Sequence, residues 1–192
     1  MSDAGNALRL ALRVADELEA RNLPHAIGGA LAFGVWGEPR GTKDVDINVF
    51  VEGDRLDDVL AAVRAAGADV DDAAARRQAN DRGLIVAHWP DGFRLDVFTP
   101  SIDFSWEALR TRVKVAAGAH SGWFLSAEAI AVFKLLFFRG KDRVDLARLV
   151  ELAPSLDHAY VRRQLVEMLG EDDERVRFWD ETVATQRLPD EG

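Results

Sequence analysis

Apolar residues at positions 8, 11, 12, 15 and 18 recur at helical spacing, so an amphipathic helix is predicted over residues 5–21, stopping near Asn22 and Pro24. His25-Ala26-Ile27 then reads as a short strand feeding a Gly28-Gly29 turn. Ala30 to Trp36 is apolar on nearly every side and predicts a buried helix, closed by Gly37 and Pro39. The period then switches to two. Val45, Ile47, Val49 and Val51 alternate with Asp44, Asp46 and Asn48, which predicts a strand over about 45–51. Leu56, Val59, Leu60 and Val63 return to helical spacing, with Asp54 expected to cap their helix and Gly67 to end it. Residues 68–82, rich in Ala, Asp and Arg, carry no pattern that assigns them.

Two strand-like runs, Gly83 to Trp89 and Phe93 to Phe98, flank Pro90-Asp91-Gly92 and predict an antiparallel hairpin. A short helix is expected over 106–110 and a strand near 112–116. From Ser126, a good N-cap two residues before Glu128, the pattern is helical over about 126–138, 141–152, 157–169 and 172–184, broken by Gly140, Pro154 and Gly170. A mixed sheet followed by helices is an α+β arrangement. The expected division is a sheet-bearing core over residues 1–117 and a C-terminal helical lobe over 118–192 packed on it. The last five residues are expected to fray.

The chain has 192 residues, 48% of them hydrophobic, enough for one core with a small appended lobe. With 33 acidic against 24 basic residues the net charge is −9, which disfavours broad nonspecific contact with nucleic acid but permits a local basic cleft. There is no cysteine, so disulfides and thiolate metal sites are excluded. Residues 1–6 lack the basic and apolar runs of a secretory signal, and the expectation is a cytoplasmic protein. The longest apolar stretch, Ala127 to Phe138, is interrupted by Glu128 and Lys134 and falls short of the roughly 20 residues that cross a bilayer, so no membrane partner is expected.

Chemistry concentrates in Arg40-Gly41-Thr42-Lys43-Asp44-Val45-Asp46-Ile47. On a strand, Asp44 and Asp46 point to one side while the valines and isoleucine point to the other. Two acids at this spacing are often only a solvated edge. At the start of a Val-rich strand, though, uncompensated charge is costly unless something positive sits against it. Magnesium takes one or two carboxylates plus phosphate oxygens and water, which such a pair offers. In the predicted hairpin Arg94, Asp96 and Phe98 share one face, so Asp96 is a third carboxylate within the sheet.

Other chemistries lack their signatures. The glycines do not make a dinucleotide or P-loop spacing, the four histidines form no H-x-x-x-H pair, and no G-x-S-x-G is present. Five tryptophans could stack on bases, but packing is their commoner use.

The combination Ile27-Gly28-Gly29, then Arg40-x-Thr42-x-Asp44-Val45-Asp46-Ile47, then Arg94-Leu95-Asp96-Val97-Phe98 resembles the nucleotidyltransferase superfamily of the polymerase-beta-like fold. Lys134 to Arg139 with Lys141-Asp142 and Asp145 adds a likeness to its small bacterial toxin-antitoxin branch. The resemblance implies a mixed sheet flanked by helices and transfer of a nucleoside monophosphate from an NTP to an acceptor hydroxyl, with pyrophosphate released. It implies two magnesium ions held by Asp44, Asp46 and Asp96, which are also the catalytic residues. It implies triphosphate binding by Gly28, Gly29, Arg40, Thr42, Lys134 and Arg139, with Lys43 and Lys141 as further cations. Lys134 is the first choice among them; the plain alternatives are a lysine snorkelling to solvent and an ordinary i, i+3 pairing of Arg139, Lys141, Asp142 and Asp145.

Two departures stand out: most of the superfamily has serine where Gly29 stands, and the gap from Gly29 to Asp44 is slightly long. Neither touches the acids. The acceptor (a tRNA, a protein hydroxyl or a small molecule), the base of the NTP, a cognate antitoxin and any oligomer are left open by the sequence. The alternative reading is a noncatalytic nucleotide-binding or partner-binding protein of the same fold.

Overall fold

The structure, a computed structural model, describes residues 3–117 and 120–187. The first helix, α1 (Asp3–Ala20), buries Ala7, Leu10, Ala11, Val14, Ala15 and Leu18, the stripe expected from a 3.6-residue period. Asn22, in the left-handed region at φ 54°, ends the turn that follows and leads into β1 (His25–Ile27). The helix α2 (Gly29–Trp36) starts directly at the glycine turn. It is not the fully buried helix its composition suggests. Only Ala32 and Phe33 are buried, because eight residues make too few turns for the sheet and neighbouring helices to cover every side.

β2 (Asp44–Val49) ends two residues earlier than expected. Its partner β1 has only three residues, the last pairing being His25 with Val49, so Val51 has no ladder to join. Asp54 does not cap the next helix. It lies inside a 3-10 turn, Gly53–Arg55, and α3 (Leu56–Ala65) begins at the following residue without a side-chain cap. The unassigned stretch contains α4 (Asp72–Arg82), announced by Asp71, whose Oδ1 accepts a hydrogen bond from Ala74 N at 2.6 Å.

The hairpin forms as read, with β3 (Leu84–His88) antiparallel to β4 (Arg94–Phe98). After α5 (Phe104–Thr111) come β5 (Val113–Ala117) and an antiparallel partner the sequence did not separate, β6 (His120–Phe124). His120-Ser121-Gly122 hides it, and Gly122 sits in a tight place, where a Cβ would stand 3.0 Å from Leu12 on α1. The described strands form one mixed sheet in the order β3-β4-β2-β1-β6-β5. The boundary expected between residues 117 and 118 falls where the described residues break off. β6 runs parallel to β1, so the sheet continues through Phe124. The fraying expected for residues 188–192 also lies outside the described residues.

The remaining helices are α6 (Ala127–Phe137), α7 (Gly140–Leu152), α8 (His158–Leu169) and α9 (Glu174–Arg187), each within a few residues of expectation. Ser126 is the cap of α6, its Oγ accepting from Ala129 N. One core runs from α1 through Val45, Ile47 and Leu95 of the sheet to Leu135, Leu146 and Trp179 of the helices. No described helix is long and apolar enough to cross a membrane.

Candidate active site

β2 and β4 are parallel neighbours in register, with Asp44 opposite Arg94, Asp46 opposite Asp96 and Asn48 opposite Phe98. Residues aligned across parallel strands project to the same side, so Asp44, Asp46 and Asp96 share one face of the sheet while Val45, Ile47, Leu95 and Val97 fill the core. Asp96 carries a neighbour of its own: Arg94 Nε donates to its Oδ1 at 2.7 Å. Thr42 Oγ1 accepts from Asp44 N at 3.0 Å and donates to Asp44 O, which fixes the turn entering β2.

The glycine turn lies against the same carboxylates. Gly28 N donates to Asp46 O at 2.8 Å, tying the start of α2 to the acid strand. Gly29 adopts φ +53°, and a Cβ there would overlap the Asp46 carboxylate. This accounts for the departure noted in the sequence. The space a serine side chain would fill is taken by Asp46.

The cations gather at the corner between α6 and α7. Phe138 turns that corner in the left-handed region at φ 51°, which brings Lys134 back over the start of α7. Lys134 is only 9% exposed yet does not snorkel: its Nζ donates to Asp145 at 2.6 Å and approaches Asp142 at 3.4 Å. Arg139 Nε donates to Asp142 at 2.7 Å, and Arg40 reaches Asp145 at 3.1 Å. Three cations therefore share two carboxylates, leaving one positive charge in excess. The i, i+3 pairing read as the plain alternative for Arg139 and Asp142 is present. Lys141 is exposed and has no ion pair among the described residues.

The charges cross-talk. Burial, then the Asp96 charge, then that of Asp44, push the Asp46 carboxyl up to about 6, while Lys141 and Lys134 pull it down. Burial would also raise Asp142, but the Arg139 hydrogen bond with Lys134 and Arg139 charge outweighs it and holds that carboxyl below its ordinary value. The cation corner and the acid pair thus lie within electrostatic reach of each other. Among the described residues, no three His, Asp or Glu side chains stand close enough to make a ready-made metal centre.

Solved structures share this architecture. The antibiotic-resistance factor ANT(2'')-Ia in solution superposes with a TM-score of 0.54 over 96% of this chain and 92% of that one, at 20% identity. The chain has the nucleotidyltransferase fold. The lincosamide antibiotic adenylyltransferase LnuA, with lincomycin bound, gives 0.52 at 14% identity over 75% of this chain and 96% of its own. ANT(2'')-Ia in complex with adenylyl-2''-tobramycin gives 0.50 at 19% identity, over 94% and 99%. No family model matches the sequence, and no curated protein does.

Within this nucleotidyltransferase fold three of the five tryptophans are tied to the backbone, while Trp123 carries Arg112 over its ring at 4.4 Å. Trp36, Trp89 and Trp179 donate their indole N–H to the carbonyls of Leu125, Ala66 and His158. The sequence reading overlooked Arg94 as the partner of Asp96 and the buried carboxylates as holders of Lys134. An arginine two residues from an acid on one strand face was the available signal for the first. Nothing local could show the second, because Asp145 is eleven residues from Lys134 and meets it only through the corner.

Proposed function

We propose that this protein is a magnesium-dependent nucleotidyltransferase that moves a nucleoside monophosphate from an NTP to an acceptor hydroxyl. The observation that supports this most directly is the residue-for-residue pairing of Asp46 with Asp96 beside a glycine turn that opens a helix. Backbone N–H groups at such a helix start attract phosphate, and glycine lets the backbone approach closely. The donor set suits a hard divalent cation: it is all carboxylate, and Asp46 is pushed up by burial and then by its negative neighbours. Asp44, Asp46 and Asp96 would hold the ions, with phosphate oxygens and water completing them. Bound there, the cations offset charge on the attacking and leaving oxygens.

In the transfer, the acceptor oxygen bonds to the α-phosphorus, the bond from that phosphorus to the bridging oxygen breaks, and pyrophosphate leaves with the electron pair. Asp96 Oδ1 is held by Arg94, and Oδ2, with no hydrogen bond among the described residues, takes the hydroxyl proton. Lys141 and the net positive corner of Arg40, Lys134 and Arg139 face the triphosphate. Lys134 acts through its fixed charge rather than as a free ligand. Thr42 keeps Asp44 in place.

The named neighbours are an antibiotic-resistance factor, seen with adenylyl-2''-tobramycin, and a lincosamide antibiotic adenylyltransferase, and a net charge of −9 suits a small cationic acceptor. Incubation with each α-labelled NTP, magnesium and either aminoglycosides, lincosamides, tRNA or cell extract tests this. Label should enter one acceptor and be lost in Asp46→Asn and Asp96→Asn. Labelling of tRNA or protein would point instead to the toxin-antitoxin branch and to a cognate antitoxin. One observation favours the noncatalytic reading: Arg94 already neutralises Asp96. That reading predicts stabilisation by NTP with no labelled acceptor, and is abandoned if any acceptor takes up label.

A further inference from the structure

Beyond the acids and cations, the same face carries an aromatic pair that the transfer reaction leaves unused. Phe98 lies two residues past Asp96 on β4, roughly 7 Å along the strand. Its ring centroid is 6.2 Å from that of Phe137 in the last turn of α6. Phe137 is 52% exposed, unusual for a phenylalanine on a helix whose other apolar residues are mostly buried. Arg139 bridges this pair to the charge corner: its guanidinium lies 4.9 Å over the Phe137 ring while Nε holds Asp142.

The amide of a mostly buried asparagine sits beside the pair. Asn48, opposite Phe98 in the register, is 9% exposed and its carboxamide has no hydrogen-bond partner among the described residues. Its Nδ2 occupies the space beside Gly28, 2.7 Å from where a Cβ would stand, at the seam between the glycine turn and the aromatic pair. No buried side-chain polar atom among the described residues lacks a partner, so the unpaired amide atoms of Asn48 reach solvent and are open to a ligand hydroxyl, which can both donate to and accept from a carboxamide.

We propose that Phe137, backed by Phe98 and Arg139, is the stacking platform for the nucleobase of the NTP, and that Asn48 hydrogen-bonds its sugar. This rests on the proposed function and names the part of the nucleotide that the acids and cations do not touch. The base is favoured over the acceptor because Arg139 joins the ring to the corner that faces the phosphates. A nucleotide whose phosphates lie on that corner extends its base toward Phe137. A planar base on an exposed ring beside an arginine gains from stacking on both. Such a platform is sequence-tolerant, and so predicts weak discrimination among bases.

The test compares Phe137→Ala with the parent protein for binding of ATP and of inorganic triphosphate, both with magnesium. The platform predicts that ATP binds about tenfold to a hundredfold more weakly in the variant while inorganic triphosphate binding is unchanged. Phe137→Trp should retain ATP affinity, and Asn48→Ala should weaken ATP with no effect on inorganic triphosphate. Since Phe137 is exposed, its removal leaves the fold intact, and circular dichroism checks that. Equal ATP affinity in parent and Phe137→Ala overturns the inference while leaving the function standing, as does a variant that loses only acceptor affinity. If neither triphosphate binds the parent protein, the function itself fails.

Discussion

The Asp46 carboxylate occupies the volume that any side chain at Gly29 would need, so the acid and the glycine turn are fitted to each other. Gly29→Ser therefore meets two penalties, a left-handed backbone and an overlap with Asp46. A loss of about 1–3 kcal/mol in urea unfolding is expected, together with a fall in label transfer of at least tenfold. Placing there the serine common in the superfamily that the sequence resembles should harm this protein. Unchanged stability and transfer would refute the fit.

Asp46 gives a pH signature. Its carboxyl titrates near 6 in the folded metal-free protein and near 3.8 when unfolded, so between those values the folded state binds more protons. Stability then falls as pH rises from 4 to 6 and stays low above that. Asp46→Asn removes the penalty. Its melting temperature should match the parent at pH 4 and exceed it by several degrees at pH 7, on the order of 1–3 kcal/mol, while transfer is abolished. Thermal scans at four or five pH values read this directly.

Lys134 and Lys141 should separate stability from binding. Lys134→Met removes the buried ammonium but leaves Asp142 to Arg139 and Asp145 to Arg40, and should cost about 1–3 kcal/mol in denaturant unfolding. Lys141→Ala touches no ion pair and should change stability by less than about 0.5 kcal/mol. Its effect should appear as weaker triphosphate binding by calorimetry, diminishing with salt. Equal behaviour of the two variants would mean the corner is not divided in this way.

His25 supplies an acid-sensitive point in the core. Burial lowers its pKa below 6.5, with Arg112 adding to the effect and the hydrogen-bonding contact with Leu23 O opposing it. The unfolded chain takes up the proton first, so stability declines as pH drops below 6.5. A His25→Gln variant should lose that part of the decline in pH-dependent unfolding.

The legible parts of the sequence were those in which one local period decided the outcome. The Val45-Ile47-Val49 alternation located the acid strand, and the turn at Pro90-Asp91-Gly92 located the hairpin that delivers Asp96. What escaped depended on distant partners. α2 looked buried because composition records polarity and not coverage. β6 was masked by a glycine packed closely against Leu12, more than a hundred residues away. Lys134 was recognised as an unusual cation, but whether it met phosphate, solvent or carboxylate was decided by a chain reversal at Phe138, where neither glycine nor asparagine gives warning.

That reversal has a wider consequence. Phe138 is clamped by Arg143, whose guanidinium stacks 4.0 Å over its ring, and by an edge-on contact with Phe178 of the last helix. The anionic and cationic halves of the candidate site therefore mature at different moments of synthesis. A nascent chain that has emerged only through Leu125 holds the acids but none of the α6–α7 groups that offset them, and the final helix latches the bend. Assembly of the candidate site thus waits for α9, and two separately expressed halves split after Leu125 should regain the ion pairs of the corner beside the acids only by reassociating.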